Sequence, residues 1–220
     1  MAKFTESIHV GGHLTADTMT LPDASVSNAS IKSDAAIART KLAQETLARF
    51  PVKLTDFRVW DAFQTPLPGT SATDDLGLYG GTFATNSPQI KTYDVKAAGA
   101  QTLRARALIT LPAEYEDAET VNIRIHGGME TTVADGSCTV DVEAYEVDSE
   151  GGISADLCDT GAQNMNFLVK DDYDFVITAT DLVAGDVLDV RISIAVSDGA
   201  TATAVIAAIG AVELLCDIRG

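Results

Sequence analysis

The sequence predicts a mainly β protein, an antiparallel jelly-roll-like β-sandwich preceded by an extended N-terminal arm with one short helix. Three observations support this prediction. Many short segments alternate apolar and polar residues with a period of two, which is typical of half-buried strands. Turn residues such as Gly, Asp, Asn and Pro separate these segments, and Thr and Val are frequent within them. The arm is predicted over residues 1–50 and the sandwich over residues 51–220.

The clearest alternation lies within residues 181–218. The apolar residues of its first half share one side of an extended chain: Leu188, Val190, Ile192, Ile194 and Val196. Polar or small residues share the other side: Asp189, Arg191, Ser193 and Ala195. A turn at residues 197–199 predicts a hairpin to a second strand over residues 203–215. That second strand is apolar on both sides, so we expect both of its faces to be covered.

The arm carries apolar residues at intervals that match neither a helix nor a strand. They are Val26, Ile31, Ile37, Leu42 and Leu47. A segment of this kind cannot bury its own side chains, so these residues are candidate contacts with a neighbouring subunit or with the body of their own domain. A tail without a fixed partner is the alternative. Helix formers before Pro51 predict one short helix, at its shortest over residues 41–49.

The remaining strand candidates follow in order along the sandwich. The first lies at residues 52–60, weaker ones at residues 76–83 and 89–95, and stronger ones at residues 101–110, 120–126, 137–147 and 173–180. In the first of the stronger segments, Arg104 and Arg106 are predicted to point outward. Gly127 and Gly128 are predicted to form the turn that follows the second of these segments, residues 120–126.

Composition excludes several classes of function. The chain of 220 residues has 15 Lys and Arg against 32 Asp and Glu, a net charge of −17. A surface this acidic repels phosphate backbones, so we expect no direct contact with nucleic acid. The first residues lack the apolar core of a signal peptide, and the longest apolar run is too short to span a membrane. The three cysteines are expected to be buried thiols, with a single disulfide as the alternative.

No constellation of reactive residues emerges, so we predict no catalytic residue, no cofactor and no metal. Asp171, Asp172 and Asp174 could ligate Ca²⁺, but they lack the spacing of a calcium loop, and solvated turn residues are the preferred interpretation. His126 begins a Gly-Gly phrase like an esterase oxyanion loop, yet no nucleophile motif accompanies it. Three aromatic residues could form a sugar platform, although packing is preferred because aromatic residues make up only 6% of the chain: Trp60, Tyr79 and Tyr93.

Two phrases of the arm, residues 25–32 and 36–43, resemble phrases common in structural proteins of tailed bacteriophages. Four phrases of the body are similar to β-sandwich domains that occur with such arms: residues 108–115, 140–148, 172–175 and 184–192. Together these phrases touch about a third of the chain. No individual functional residue can be transferred, because these families have no catalytic motif.

The resemblance implies a virion structural protein rather than an enzyme. The expected role is that of a homotrimeric decoration or cement protein on the capsid surface, made in the host cytoplasm. Its arm would contact the major capsid protein, and its other partners would be copies of itself, with no nucleic acid and no membrane. The first alternative is a head- or tail-fibre module that binds a receptor or a glycan. The second alternative is a polysaccharide hydrolase.

Overall fold

The computed structural model describes residues 47–148, 150–200 and 202–219, which belong to the second of two compact units of the chain, Glu45–Gly220. Ten strands and a 3-10 turn at Leu54–Asp56 occur in these ranges. The strands are β1 (Leu47–Val52), β2 (Gly77–Tyr79), β3 (Gln89–Lys91), β4 (Gly99–Thr110), β5 (Val121–Met129), β6 (Ser137–Val147), β7 (Gln163–Asn164), β8 (Asp171–Ile177), β9 (Val187–Asp198) and β10 (Ala207–Asp217). Over the same ranges, no helix is long and apolar enough to cross a membrane.

The ten strands form two antiparallel sheets, which confirms the predicted jelly-roll-like sandwich. Sheet A has the order β2-β3-β10-β5-β8, and β1 pairs with β10 beside this path. Sheet B has the order β4-β9-β6-β7. One cluster of buried apolar side chains takes contributions from both sheets. Each sheet therefore has one apolar face in the core and one outer face that is free to be polar.

Strand β9 lies at the centre of sheet B. It pairs with β4 over twelve residues, from Thr110↔Val187 to Gly99↔Asp198, and with β6 on its other side. Its predicted apolar side faces the core, where the exposure of Leu188, Ile192 and Ile194 is 0%. The alternation predicted for this strand is confirmed, and its polar side therefore lies on the outer face of sheet B.

The predicted hairpin between β9 and the last strand is wrong. Strand β9 belongs to sheet B and β10 to sheet A, so residues 199–206 connect the two sheets instead of turning between paired neighbours. The carboxylate of Asp198, expected in an open turn, is buried at the end of β9. It accepts hydrogen bonds from two other loops, from the backbone N of Ala97 (3.2 Å) and of Asp135 (2.9 Å).

A β-bulge explains why β10 is apolar at both parities. Its register with β5 shifts between Ile209 and Ala211. Before the shift, Ala207 and Ile209 belong to the core cluster; after it, Val212 and Leu214 do. An extra residue reverses the side to which the following residues point. Most of the apolar residues at both parities therefore face the same core, because the bulge changes which parity points inward. For these residues, the expected cover over a second face is not needed.

The end of the predicted short helix is also wrong. Residues 47–49, its last three, begin β1, which pairs antiparallel with β10 from Leu47↔Asp217 to Val52↔Val212. Backbone pairing with a long apolar strand overrides the helix propensity of these residues. Pro51 is accommodated because β10 is the only strand with which β1 pairs among the described residues, so one side of its backbone makes no ladder bonds. The rest of the predicted helix, residues 41–46, lies outside the described residues.

Gly127 and Gly128 lie inside β5 rather than in the predicted turn. A Cβ atom at Gly127 would come within 3.0 Å of the backbone oxygen of Ala208, and one at Gly128 within 2.9 Å of that of Phe167. These glycines therefore allow β10 and the loop before β8 to approach the strand closely. Two adjacent glycines usually indicate a turn. In this strand they indicate two close backbone contacts instead.

All three cysteines are free thiols, as predicted. Cys138 and Cys216 are buried, and Cys158 is half-buried. Burial raises the pKa of the Cys138 thiol to about 12, so it remains protonated and packs as a small apolar side chain.

Candidate functional site

The outer face of sheet B is polar across its three longest strands. Because side chains alternate along a strand, the buried apolar residues of β4, β6 and β9 leave charged or polar neighbours on the opposite face. These neighbours are Arg104, Arg106, Glu143, Tyr145, Asp189 and Arg191. Two aromatic residues from the segment before β2, Trp60 and Phe63, lie against their arginines. We refer to these eight residues as the Trp60 face.

The segment that carries Trp60 runs along the edge of β4. The backbone N of Arg58 donates to the oxygen of Arg106 (2.8 Å), and the N of Arg106 donates to the oxygen of Arg58 (3.1 Å). Phe57 and Val59 are buried, so Arg58 and Trp60 take the alternate, outward side. The same alternation that builds the core thus places the only tryptophan of the chain over the outer face.

The indole of Trp60 is fixed from three directions. The guanidinium carbons of Arg104 and Arg191 lie 5.2 Å and 5.4 Å from its ring centre, within the range of cation–π attraction. Its Nε1 donates a hydrogen bond to Oδ2 of Asp74 at 3.1 Å. Trp60 is only half-buried, so part of the ring is available to a ligand. A second aromatic ring, that of Phe63, lies 5.4 Å from the guanidinium of Arg106.

Ion pairs brace the charged side chains of this face. Arg106 donates from Nε to Oδ1 of Asp189 at 2.6 Å, and its Nη2 contacts the other carboxylate oxygen. The hydrogen bond with Asp189 raises the pKa of Arg106, so the guanidinium keeps its positive charge. Arg191 on β9 pairs with Glu143 on β6, its direct cross-strand neighbour. The result is a row of planar donors and acceptors held on rigid strands.

Tyr145 adds a neutral hydroxyl to the same face. It lies directly across from Asp189 in the register of β6 with β9. Burial and, to a lesser degree, the negative charge of Glu143 raise the pKa of its phenol. The hydroxyl therefore stays protonated and can both donate and accept a hydrogen bond.

A second polar cluster lies on the outer face of sheet A, in a shallow pocket of about 210 Å³ that we call the Arg124 pocket. It is lined by Arg49, Arg124, His126, Asp172, Ala211 and Glu213. Arg124 donates two hydrogen bonds to Asp174, at 2.6 Å and 2.7 Å, and Nδ1 of His126 lies 2.8 Å from Asp172. Opposite charges pair inside this pocket, and no Phe, Tyr or Trp ring lines it, so it is the weaker candidate for a ligand site.

The Arg124 pair predicts a specific loss of stability in acid. Hydrogen bonds from Arg124 hold the pKa of Asp174 below its ordinary value of 3.8. A carboxyl with a lowered folded-state pKa stabilises the fold above its unfolded-state pKa, and this contribution is lost as the pH falls through the folded-state value. Asp174→Asn should therefore lower the melting temperature at pH 7 and flatten its decline below about pH 4. Melting curves from pH 2 to pH 7 test this, with the exposed Asp181→Asn as the control. An unchanged slope in acid would contradict the assignment.

Two of the acidic residues weighed for Ca²⁺ are paired with basic side chains instead. Arg124 contacts both Asp172 and Asp174, and His126 contacts Asp172. In another acidic turn, Oδ1 of Asp148 accepts hydrogen bonds from the backbone N of neighbouring residues, at 2.6 Å and 2.8 Å, as a turn residue does. Within the part of the chain that the structure describes, no group of three His, Cys, Asp or Glu residues could hold a metal ion.

Most of the predicted contact residues cannot be placed. Val26, Ile31, Ile37 and Leu42 lie outside the described residues. Leu47 is the first residue of β1, and 46% of its surface is exposed. It remains a candidate contact, now on the first strand of the sandwich rather than on a helix.

The three aromatic residues weighed as a sugar platform do not come together. Trp60 lies on the outer face of sheet B, and Tyr79 lies in sheet A with its ring 5.2 Å from Nζ of Lys91. Tyr93 packs against the core and donates from its hydroxyl to Gln101 at 2.8 Å. Only Trp60 is therefore part of the candidate site, and its partners come from strands rather than from other aromatic residues.

No protein-family model matches the sequence, and no curated protein matches it. Solved structures with a similar fold include the xylan-binding module CBM15, with 11% identity and a TM-score of 0.43 over 80% of this chain and 100% of that chain. They also include a family 16 carbohydrate-binding module, with 11% identity and a TM-score of 0.38 over 67% of this chain and 88% of that chain. A third is the CBM22-1 xylan-binding domain of Paenibacillus barcinonensis Xyn10C, with 9% identity and a TM-score of 0.35 over 66% of this chain and 82% of that chain. These three neighbours are carbohydrate-binding modules, and none is a capsid or cement protein. At this level of likeness, nothing about their ligands carries over to this chain.

Proposed function

We propose that this chain is a non-catalytic module that binds a glycan on the Trp60 face. The observation that carries the proposal is the fixed, half-exposed indole of Trp60 above the guanidinium groups of Arg104 and Arg191. This is the alternative of a glycan-binding module raised by the sequence, and the geometry of the outer face supports it better than it supports enzymatic turnover.

The chemistry of a sugar chain matches this surface. A sugar ring presents an apolar face of C–H groups, which can pack on an aromatic ring, and hydroxyls around its rim, which need both donors and acceptors. Arg106 supplies donors and is held in place by the buried Asp189, and Arg191 and Glu143 supply both donors and acceptors. Because these side chains stand on paired strands and brace one another, little conformational entropy is lost when a ligand binds.

Charge further narrows the class of ligand. The chain carries a net charge of −17, which disfavours polyanions such as nucleic acids. On the Trp60 face, two of the arginines are already neutralised by Asp189 and Glu143. A ligand rich in hydroxyls and without strong charge is the one that such a surface accommodates at the lowest electrostatic cost.

Binding should be visible through Trp60 itself. It is the only tryptophan, so a ligand that packs on its ring should change the tryptophan emission of the unmodified protein. A glycan array identifies the strongest ligand, and a fluorescence titration then gives its affinity. Trp60→Ala is expected to weaken that affinity by about thirtyfold or more, corresponding to ~2 kcal/mol for loss of a central aromatic anchor. Calorimetry measures this variant, which lacks the fluorophore.

A matched control separates this face from the rest of the surface. His126→Ala alters an exposed side chain of the Arg124 pocket on the other sheet and should leave the glycan affinity unchanged. No reproducible array ligand, or equal losses in Trp60→Ala and His126→Ala, would refute the proposed site. Release of reducing ends from the ligand would instead favour the hydrolase alternative.

The placement of the module in a phage virion remains a prediction from the sequence. The arm phrases behind it lie at residues 25–32 and 36–43, outside the described residues. The decoration role, the homotrimer and the contact with the major capsid protein likewise remain predictions from the sequence. A glycan-binding sandwich is compatible with a head- or tail-fibre module, and this is the version of the virion role that we carry forward as a proposal.

A further inference from the structure

A fully exposed aromatic side chain marks a second surface of the protein. Phe83 lies in the loop between β2 and β3, residues 80–88, and its exposure is 100%. Neither the core nor the Trp60 face uses this residue. A single exposed apolar side chain is common on protein surfaces, so Phe83 indicates a partner only together with the apolar surface beside it.

An apolar groove lies beside this loop. Its volume is about 520 Å³, and its apolar lining includes Leu54, Leu78 and Pro88. Cavities of about 150 Å³ accept a benzene molecule, so the groove has room for a phenyl ring and its neighbours. Gly80, Ser87 and Pro88 line both this groove and the recess that contains Phe83. An aromatic knob and a groove that could receive it therefore belong to one continuous patch.

The charge of the chain indicates which partner fits this patch. Residues 76–90 contain no charged side chain, although the chain as a whole carries −17. Two copies of so acidic a protein repel each other wherever their acidic surfaces meet. The residues that line the groove and the recess include one basic side chain, Lys53, and no acidic one, so a second copy can approach there without that cost.

We propose that this patch is a self-association surface, on which Phe83 of each copy inserts into the groove of the other. Knob and groove lie next to each other on the same surface, and such self-complementarity is what a two-fold interface requires. Lys53 also lines the groove, so an inserted phenyl ring would come close to its ammonium group. The inserted rings would thus gain both apolar contacts and a cation–π contact.

This inference is independent of the glycan proposal and has a consequence for it. A pair of copies carries two Trp60 faces. If both faces can reach one polysaccharide, the second binding event occurs at a high effective concentration and the apparent affinity rises. Association through Phe83 would then strengthen attachment without any change in the site itself.

The full-length chain tests the proposal by analytical ultracentrifugation over a wide concentration range. The expected wild-type behaviour is a reversible equilibrium between one chain of 23.1 kDa and a pair of chains. Phe83→Ser should raise the dissociation constant by about a hundredfold, because two rings are lost from each pair. The control Ile153→Ser removes another exposed apolar side chain, 60% exposed in a loop of sheet B, and should leave the constant unchanged.

Cysteine trapping tests the contact directly. Copies carrying Phe83→Cys, mixed with copies carrying Leu54→Cys, should form a cross-linked pair in higher yield than either variant alone. A chain that stays single at all concentrations overturns the proposal, as does a dissociation constant that Phe83→Ser leaves unchanged. A complex of three chains also overturns the two-fold arrangement.

Discussion

Replacing Ile192 by alanine is expected to lower the free energy of unfolding by about 3 to 4 kcal/mol. Ile192 lies at the centre of β9 and its exposure is 0%. Its neighbours across the two strand pairings are Ala105 on β4 and Val142 on β6, both of them buried. Because hydrogen-bonded strands flank β9 on both sides, the surrounding backbone cannot close the cavity that the smaller side chain leaves.

Urea unfolding measures this effect, with an unchanged dependence on denaturant as the sign that the folded state is retained. The matched control is the same substitution at Ile153, whose side chain is 60% exposed in a loop of sheet B. Ile153→Ala should change the free energy by less than about 0.5 kcal/mol. Equal losses at the two positions would show that β9 is not the centre of the core.

The contrast between β9 and β10 shows what the sequence can predict. A strict alternation such as that around Ile192 determines which side of a strand is buried, and the structure confirms it. In β10 the apolar residues occupy both parities, and a buried strand and a bulged strand produce the same pattern. Only the pairing with β5, which shifts between Ile209 and Ala211, distinguishes the two. The register shift belongs to the pairing between β5 and β10, so the sequence of β10 alone does not reveal it.

The candidate site has the same limitation. The outward direction of Arg104, Arg106 and Arg191 follows from local alternation and was predicted correctly. Their convergence with Trp60 depends on the segment that pairs along the edge of β4. The partners Arg106 and Asp189 are 83 residues apart in sequence. The register between distant strands determines how close these two side chains come in space. The periodicity within one segment contains no information about that register.

Replacing Asp198 by asparagine should cost about 2 to 4 kcal/mol of stability, although the side chain keeps nearly the same shape. Asp198 is fully buried, and its two carboxylate oxygens accept hydrogen bonds from the backbone N of Ala97 and of Asp135. An amide offers one acceptor and one donor group, so one of the two backbone N–H groups would face another donor. Both the hydrogen bond and the charge that strengthens it are lost.

Thermal unfolding measures the loss, and amide hydrogen exchange at Ala97 and Asp135 locates it. Asp135 in turn accepts hydrogen bonds from the backbone N of Gly199 (2.9 Å) and Ala200 (3.0 Å), so Asp198 and Asp135 tie three loops together reciprocally. We therefore expect faster exchange at all four amides in Asp198→Asn, and no change in Asp181→Asn, an exposed acid. Faster exchange at Ala97 alone would mean that the carboxylate holds a single loop, and the coupling between the two sheets would have to come from the core.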